Sequence, residues 1–271
     1  MSAQPDFHAN LMTFGTGARR ILALHCTMAF GGAWAALAKH LGPNVAIVAP
    51  DMPSHGRSVD WDEHSDFGET AYQSAVASLD PDPMDVVGHS FGAVIALRMA
   101  LRHPQRVRSL TLIEPVFFAV ALHDAPHVMD DHDARARPFT EAIARGDKME
   151  AARAFNRMWG DTGADWEMLP ESTRAAMARA IHVVPDTYGL LYDDTSGMLT
   201  PGTLEACQMP CLIMRGENAH PAVVVTNDGL AKRIVGARQA VIAKAGHMAP
   251  ISHPASVAAE LTAFFASGAP V

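Results

Sequence analysis

The pentapeptide Gly88-His89-Ser90-Phe91-Gly92 constrains the fold of this chain more than any other stretch. Before it lies Met84–Val87, a short apolar, β-branched run suited to a buried strand. After it Phe91–Leu101 is apolar nearly all round and long enough for a buried helix. In a strand–turn–helix setting, G-x-S-x-G is a sharp turn that lifts a serine hydroxyl to the carboxyl end of a parallel sheet. The glycines are required because Ser90 must hold a strained backbone, and a Cβ at position 88 or 92 would strike the neighbouring strand or helix. Without those flanks the same five letters would describe a glycine-rich turn whose serine caps a helix.

The rest of the chain supplies partners for that strand. Phe7–Phe14 reads as an edge strand, and Arg20–His25, Val45–Ala49, Val107–Ile113, Pro210–Arg215 and Gln239–Ile242 as further strands. Helical spacing falls on Ala33–Leu41, Glu69–Leu79, Thr226–Val235 and Pro254–Ser267. Strands alternating with helices predict a mostly parallel sheet with right-handed crossovers. Between Val116 and about Gly202 the character changes: Ala, Arg, Met and acidic residues dominate, and no β-branched run occurs. There Thr140–Ala144, Lys148–Trp159, Glu171–His182 and Thr187–Tyr192 carry helical spacing. A chain of 271 residues with 49% apolar content has room for one α/β core plus such an insertion.

Taken together, Gly88–Gly92 and the distant Ala245-Gly246-His247 resemble the α/β-hydrolase superfamily over nearly the whole chain, the middle section excepted. The resemblance implies a twisted, mostly parallel sheet flanked by helices, with a helical cap: core over 1–115, cap over 116–202, and core again over 203–271. Asp51-Met-Pro-Ser-His-Gly-Arg-Ser58 resembles the family's D-x-x-G-x-G-x-S loop, with Ser54 where a glycine is usual.

A serine hydroxyl is a poor nucleophile at neutral pH, so Ser90 needs a base within hydrogen-bond reach, and the base needs an orienting carboxylate. His247 is the expected base, since it follows the last strand, where the family places its histidine. His25, His55, His89 and His253 also flank motifs and are read as structural. The acid departs from the commonest pattern: the turn that usually carries an Asp is Gly216-Glu217-Asn218-Ala219, and Ala219 cannot orient anything. Glu114, at the end of the strand before the cap, is the favoured acid; Glu217 and Asp228 are alternatives, as is a chain with no acid. The oxyanion donors implied are the backbone N–H of Phe91 and that of Thr27. Thr27 lies in His25-Cys26-Thr27-Met28, a loop resembling the family's H-G-x-x, and Cys26, a glycine in the family, is a minor alternative nucleophile. Phe30, Phe117, Asn156, Trp159, Tyr188 and Met248 are candidate substrate contacts, and further cap aromatics and methionines suit an apolar pocket.

These readings lead to a serine hydrolase acting on small carboxylic esters or lactones, with no metal or organic cofactor required. The same residues could run C–C bond, amide or acyl-homoserine lactone hydrolysis or perhydrolysis, or serve a ligand receptor with little turnover. Twenty-one Lys+Arg against 29 Asp+Glu give a net charge of −8 with no basic run, which argues against nucleic acid or an anionic membrane as partner. The oligomeric state is open, monomer or dimer. A cytoplasmic location is expected: Met1–His8 lacks a charged-then-apolar leader, no 18-residue apolar stretch occurs, and Cys26, Cys207 and Cys211 lack paired spacing.

Overall fold

The computed structural model describes residues 9–160 and 166–267. Phe7, placed in the first strand from sequence, lies outside the described residues. In chain order the regular elements begin with β1 (Leu11–Phe14), β2 (Arg19–Leu24), α1 (Ala35–Leu41), β3 (Val45–Pro50), α2 (Phe67–Ala77), β4 (Met84–His89), α3 (Phe91–Arg102) and β5 (Val107–Ile113). The helices between β5 and the next strand are α4 (Phe118–Asp124), α5 (Met129–Ala144), α6 (Lys148–Trp159), α7 (Glu171–Ala180) and α8 (Tyr188–Leu191). The chain then returns with β6 (Cys211–Gly216), α9 (Pro221–Arg233), β7 (Arg238–Ile242), α10 (Ala249–Ser252) and α11 (Pro254–Ala266).

One sheet of seven strands runs in the order β1-β3-β2-β4-β5-β6-β7, with β1 antiparallel to β3 and every other pair parallel. Strands β3 and β4 are buried at every position, as parallel strands covered on both faces must be, which is why β3 is apolar throughout without alternation. On one face α2 packs with α3 and α4 with α9; on the other α1 packs with α11. Leu22, Leu24, Val86 and Leu112 point to the first layer, and Ile21, Ala23, Val87 and Ile113 to the second. The twofold side-chain alternation of a strand therefore feeds two cores at once.

Two differences from the sequence-based expectation have local causes. Helix α5 begins at Met129 and carries Pro138 inside it, where the sequence placed a helix only from Thr140. A proline removes one backbone bond but does not end a helix that packs along its length, and α5 lies against α6. Helix α9 begins at Pro221 rather than Thr226 because Pro221 sits in its first turn and the His220 ring caps the Ala222 N–H at 3.1 Å.

At the amino end of β4, Asp85 is fully buried and holds three neighbouring elements together. It accepts from Arg19 at 2.9 Å, from Arg108 at 2.7 Å and from the Ser109 hydroxyl at 2.6 Å. Removing the carboxylate leaves two guanidinium groups, mostly shielded from water, without their counter-ion. Asp85→Ala is expected to lower the unfolding free energy by about 3–5 kcal/mol in a denaturant titration, the scale for breaking a buried pair from one side. Its distance from the opposite sheet edge should leave activity per folded molecule nearly unchanged.

Candidate active site

The loops at the carboxyl edge of the parallel strands are strained. Positive φ at a non-glycine residue costs about 1–3 kcal/mol and persists only where surrounding structure imposes it. Met28 (φ 65°), Ser54 (φ 64°), Ser90 (φ 57°), Glu114 (φ 51°) and Lys244 (φ 61°) all adopt it. They follow β2, β3, β4, β5 and β7 in turn. Ser54 thus takes a left-handed conformation where the related loop has glycine. In the loop after β2 the strained residue is Met28 rather than Cys26.

Ser90 sits at the turn between β4 and α3, and its N–H donates to Ile113 O at 2.9 Å. A Cβ on Gly88 would come within 2.3 Å of Gly92 O, and one on Gly92 within 2.4 Å of Leu24 O, so neither position accepts a side chain. The Ser90 hydroxyl lies 2.9 Å from His247 Nε2, and His247 Nδ1 lies 3.0 Å from Glu114 Oε2. The other carboxylate oxygen, Oε1, accepts the Gly216 N–H at 2.5 Å, and Glu114 is fully buried. Glu217 faces away from this line and accepts the Lys244 N–H at 2.8 Å, while Asp228, on α9, accepts from Gln239 at 3.2 Å. The geometry therefore brings together Ser90, His247 and Glu114 and leaves Glu217 and Asp228 outside.

Three further histidines tie the site's loops to one another, a use that the sequence did not reveal. His89 donates Nε2–H to the His247 carbonyl at 2.8 Å. His25 donates Nδ1–H to Cys26 O at 2.8 Å and accepts the Met52 N–H at 2.9 Å. His55 donates to Pro53 O at 2.8 Å and accepts the Met28 N–H at 3.0 Å, which holds the strained Met28 in place. Burial pushes His55 and His89 down to about 3 and lowers His25, so all three rings are neutral near pH 7. A histidine next to a loop motif is a weak signal in sequence, because its partners lie 27 and 158 residues away. Burial also pushes the Cys26 thiol up to about 12, so it stays protonated and lacks the thiolate that a cysteine nucleophile requires.

Two cavities open onto Ser90, of about 750 Å³ and about 420 Å³. Thr27, Phe155 and Trp159 line both, and the Trp159 ring lies 4.5 Å from that of His247. Phe30, Asn156 and Met248 line the larger cavity, and Phe91 and Tyr188 the smaller. Phe117 is a correction: it is fully buried within the core and lines neither cavity, because it precedes α4 where that helix packs down on α9. No cluster of three or more His, Cys, Asp or Glu side chains suited to a metal ion occurs among the described residues.

A family model described as the alpha/beta hydrolase family matches residues 21–260. The chain belongs to the α/β-hydrolase family. Among curated α/β-hydrolase relatives, lipase LipV of Mycobacterium tuberculosis is 30% identical over 256 residues, spanning 90% of this chain and 92% of that one. A pimeloyl-[acyl-carrier protein] methyl ester esterase of Nitrosomonas europaea is 26% identical over 247 residues, 90% and 94% of the two chains. An α/β hydrolase from Sphaerobacter thermophilus superposes with a TM-score of 0.69 at 21% identity, covering 94% of this chain and 95% of its own. Among the described residues, no helix is long and apolar enough to cross a membrane.

The buried neutral histidines set a pH dependence of stability. His55 and His89 hold folded values near 3 against 6.5 for an unconstrained ring, so below pH 6.5 the unfolded chain binds more protons. Stability is then present at neutral pH and lost as pH falls, by up to about 1.4 kcal/mol per pH unit for each ring. Urea titrations at pH 7.5, 6.5 and 5.5 should show the midpoint falling across the lower interval; a flat profile would contradict neutral, buried rings.

Proposed function

We propose that this carboxylic ester hydrolase works through an acyl-enzyme on Ser90, with His247 as general base and Glu114 as the acid that orients it. The observation that carries the reading is the continuous line from the Ser90 hydroxyl through the His247 ring to the Glu114 carboxylate, at 2.9 Å and 3.0 Å, under an apolar cavity. Both curated relatives bear the names of ester hydrolases, which supports the ester bond as target.

In this mechanism Ser90 Oγ attacks the substrate carbonyl while its proton passes to His247 Nε2. The carbonyl π pair moves onto oxygen, where the N–H groups of Phe91 and Thr27 receive it. Within the loop after β2 the Met28 N–H is committed to His55 and that of Ala29 to Cys26 O, which favours Thr27 as donor. Collapse of the intermediate breaks the ester C–O bond, and His247 returns its proton to the leaving alkoxide. Water, deprotonated by the same ring, then attacks the acyl carbon; acid leaves and Ser90 recovers its proton. Glu114 stays ionised throughout and holds Nδ1–H toward itself, so that Nε2 faces the serine. A carboxylate in contact with the base supports turnover rather than ligand sensing, a reading whose motive was the missing acid at position 219.

Helices α5–α8 form the cap of this reading within 116–202, with α4 anchoring it on α9. A small-molecule ester or lactone is the partner, and three buried free thiols fit a cytoplasmic setting.

The mechanism is tested by p-nitrophenyl ester turnover and fluorophosphonate labelling. Ser90→Ala and His247→Ala should abolish turnover, and Ser90→Ala should also abolish labelling. Glu114→Gln should lower kcat by roughly 10³–10⁴-fold, as when a triad acid loses its charge, while Glu217→Gln keeps most activity. Full activity in Ser90→Ala would overturn the mechanism.

A further inference from the structure

The two cavities differ in which half of the reaction they can serve. Both reach Ser90, but His247 lines only the larger one and Phe91 only the smaller. The wall between them is helix α6. Phe155 and Trp159, one turn apart with ring centroids 6.3 Å from each other, face both cavities, whereas Met158 lines the smaller alone and Asn156 the larger alone. A scissile carbonyl at Ser90 lies beneath this ridge, and its two substituents must leave on opposite sides.

Resting on the acyl-enzyme reading above, we infer that the smaller cavity holds the acyl chain and the larger one the leaving alcohol. The assignment follows from the proton's path. The leaving oxygen must meet His247 Nε2 as the C–O bond breaks, so the alcohol lies on the side where that ring is exposed. The acyl carbon stays bonded to Ser90 Oγ until water arrives, and its chain takes the side from which His247 is absent.

Both linings are mostly apolar, so size rather than overall polarity separates the two cavities. Phe118, Phe139, Ile143, Met158 and Leu191 make the smaller cavity a mostly apolar sleeve, and at about 420 Å³ it limits the chain it can take. The exposed carboxylate of Asp133 at its wall disfavours an acyl chain ending in a negative charge. The larger cavity, about 750 Å³, has room for a bulkier alcohol. The substrate class is therefore an ester of an uncharged, medium-length aliphatic acid with a large alcohol.

Two walls can be filled without touching the reacting groups. Ala136 on α5 lines only the smaller cavity and Ala36 on α1 only the larger, and neither is fully buried. Wild type, Ala136→Trp and Ala36→Trp would be assayed by pH-stat on methyl acetate, methyl octanoate and naphthyl acetate. Ala136→Trp is expected to lower kcat/KM for methyl octanoate by about tenfold or more while leaving naphthyl acetate unchanged, and Ala36→Trp to do the reverse. The opposite pattern, or no change in either variant, overturns the assignment. Should one Trp variant lose every substrate, Leu at the same position repeats the comparison, and a second uniform loss also overturns it. Absence of turnover by wild type on all three esters instead fails the serine mechanism, and the assignment with it.

Discussion

The site depends on one buried carboxylate. Glu114 ends β5 with no solvent exposure, and burying an ionised carboxylate costs several kcal/mol unless every lone pair has a partner. Its two oxygens are divided between different tasks: one accepts the Gly216 N–H at the end of β6, the other the His247 ring on the loop after β7. The same group thus joins three adjacent parallel strands and, in the proposed mechanism, fixes the tautomer of the base. Asp85 performs the equivalent closure at the opposite edge of β4, where it holds guanidinium groups instead of an imidazole. The sheet is stapled by carboxylates at both ends, and the one at the carboxyl edge meets an imidazole that contacts the Ser90 hydroxyl.

Around Glu114 the backbone stores strain in a consistent place. Five left-handed non-glycine residues follow five parallel strands, and each is held by a neighbour: Ser90 by the Ile113 carbonyl, Glu114 by the Met214 carbonyl, Ser54 by the Val59 carbonyl, Met28 by the His55 ring and Lys244 by the Glu217 carboxylate. Several of these bonds run from one loop to the next strand end or loop, so the strained segments are tied to one another. That shared constraint keeps an alcohol, an imidazole and a carboxylate within hydrogen-bond distance before any substrate arrives, and a site of this kind needs little reorganisation as charge develops. Neutral His25 and His55 contribute to the same rigidity, since a protonated ring could not accept the amide hydrogens of Met52 and Met28.

Helix α6 gives the site its second property, a divided cavity. Its register places Phe155 and Trp159 at the wall of both cavities, with Asn156 lining the larger and Met158 the smaller. The same helix carries the ring that covers His247. The wall between the cavities and the cover of the His247 ring thus come from one element outside the sheet.

Much of this was written in the sequence, for local reasons. Uninterrupted apolar runs declared the parallel strands, two glycines that no side chain can replace declared the turn at Ser90, and helical spacing declared α6 to the residue. Local pattern failed where long-range packing overrode it: Pro138 lies inside a helix that α6 supports, and Phe117 looks like a pocket aromatic but is core because α4 packs on α9. Between Glu114 and Glu217 the sequence favoured the first, but it could not show which of them reaches the histidine. Both are acidic residues at strand ends, and what separates them is that β5 and β6 lie side by side, so that one side chain crosses to His247 while the other turns back to Lys244. Sequence determined which chemistry was available, because that depends on residue type; the tertiary structure decided which groups meet, because that depends on how distant strands pair.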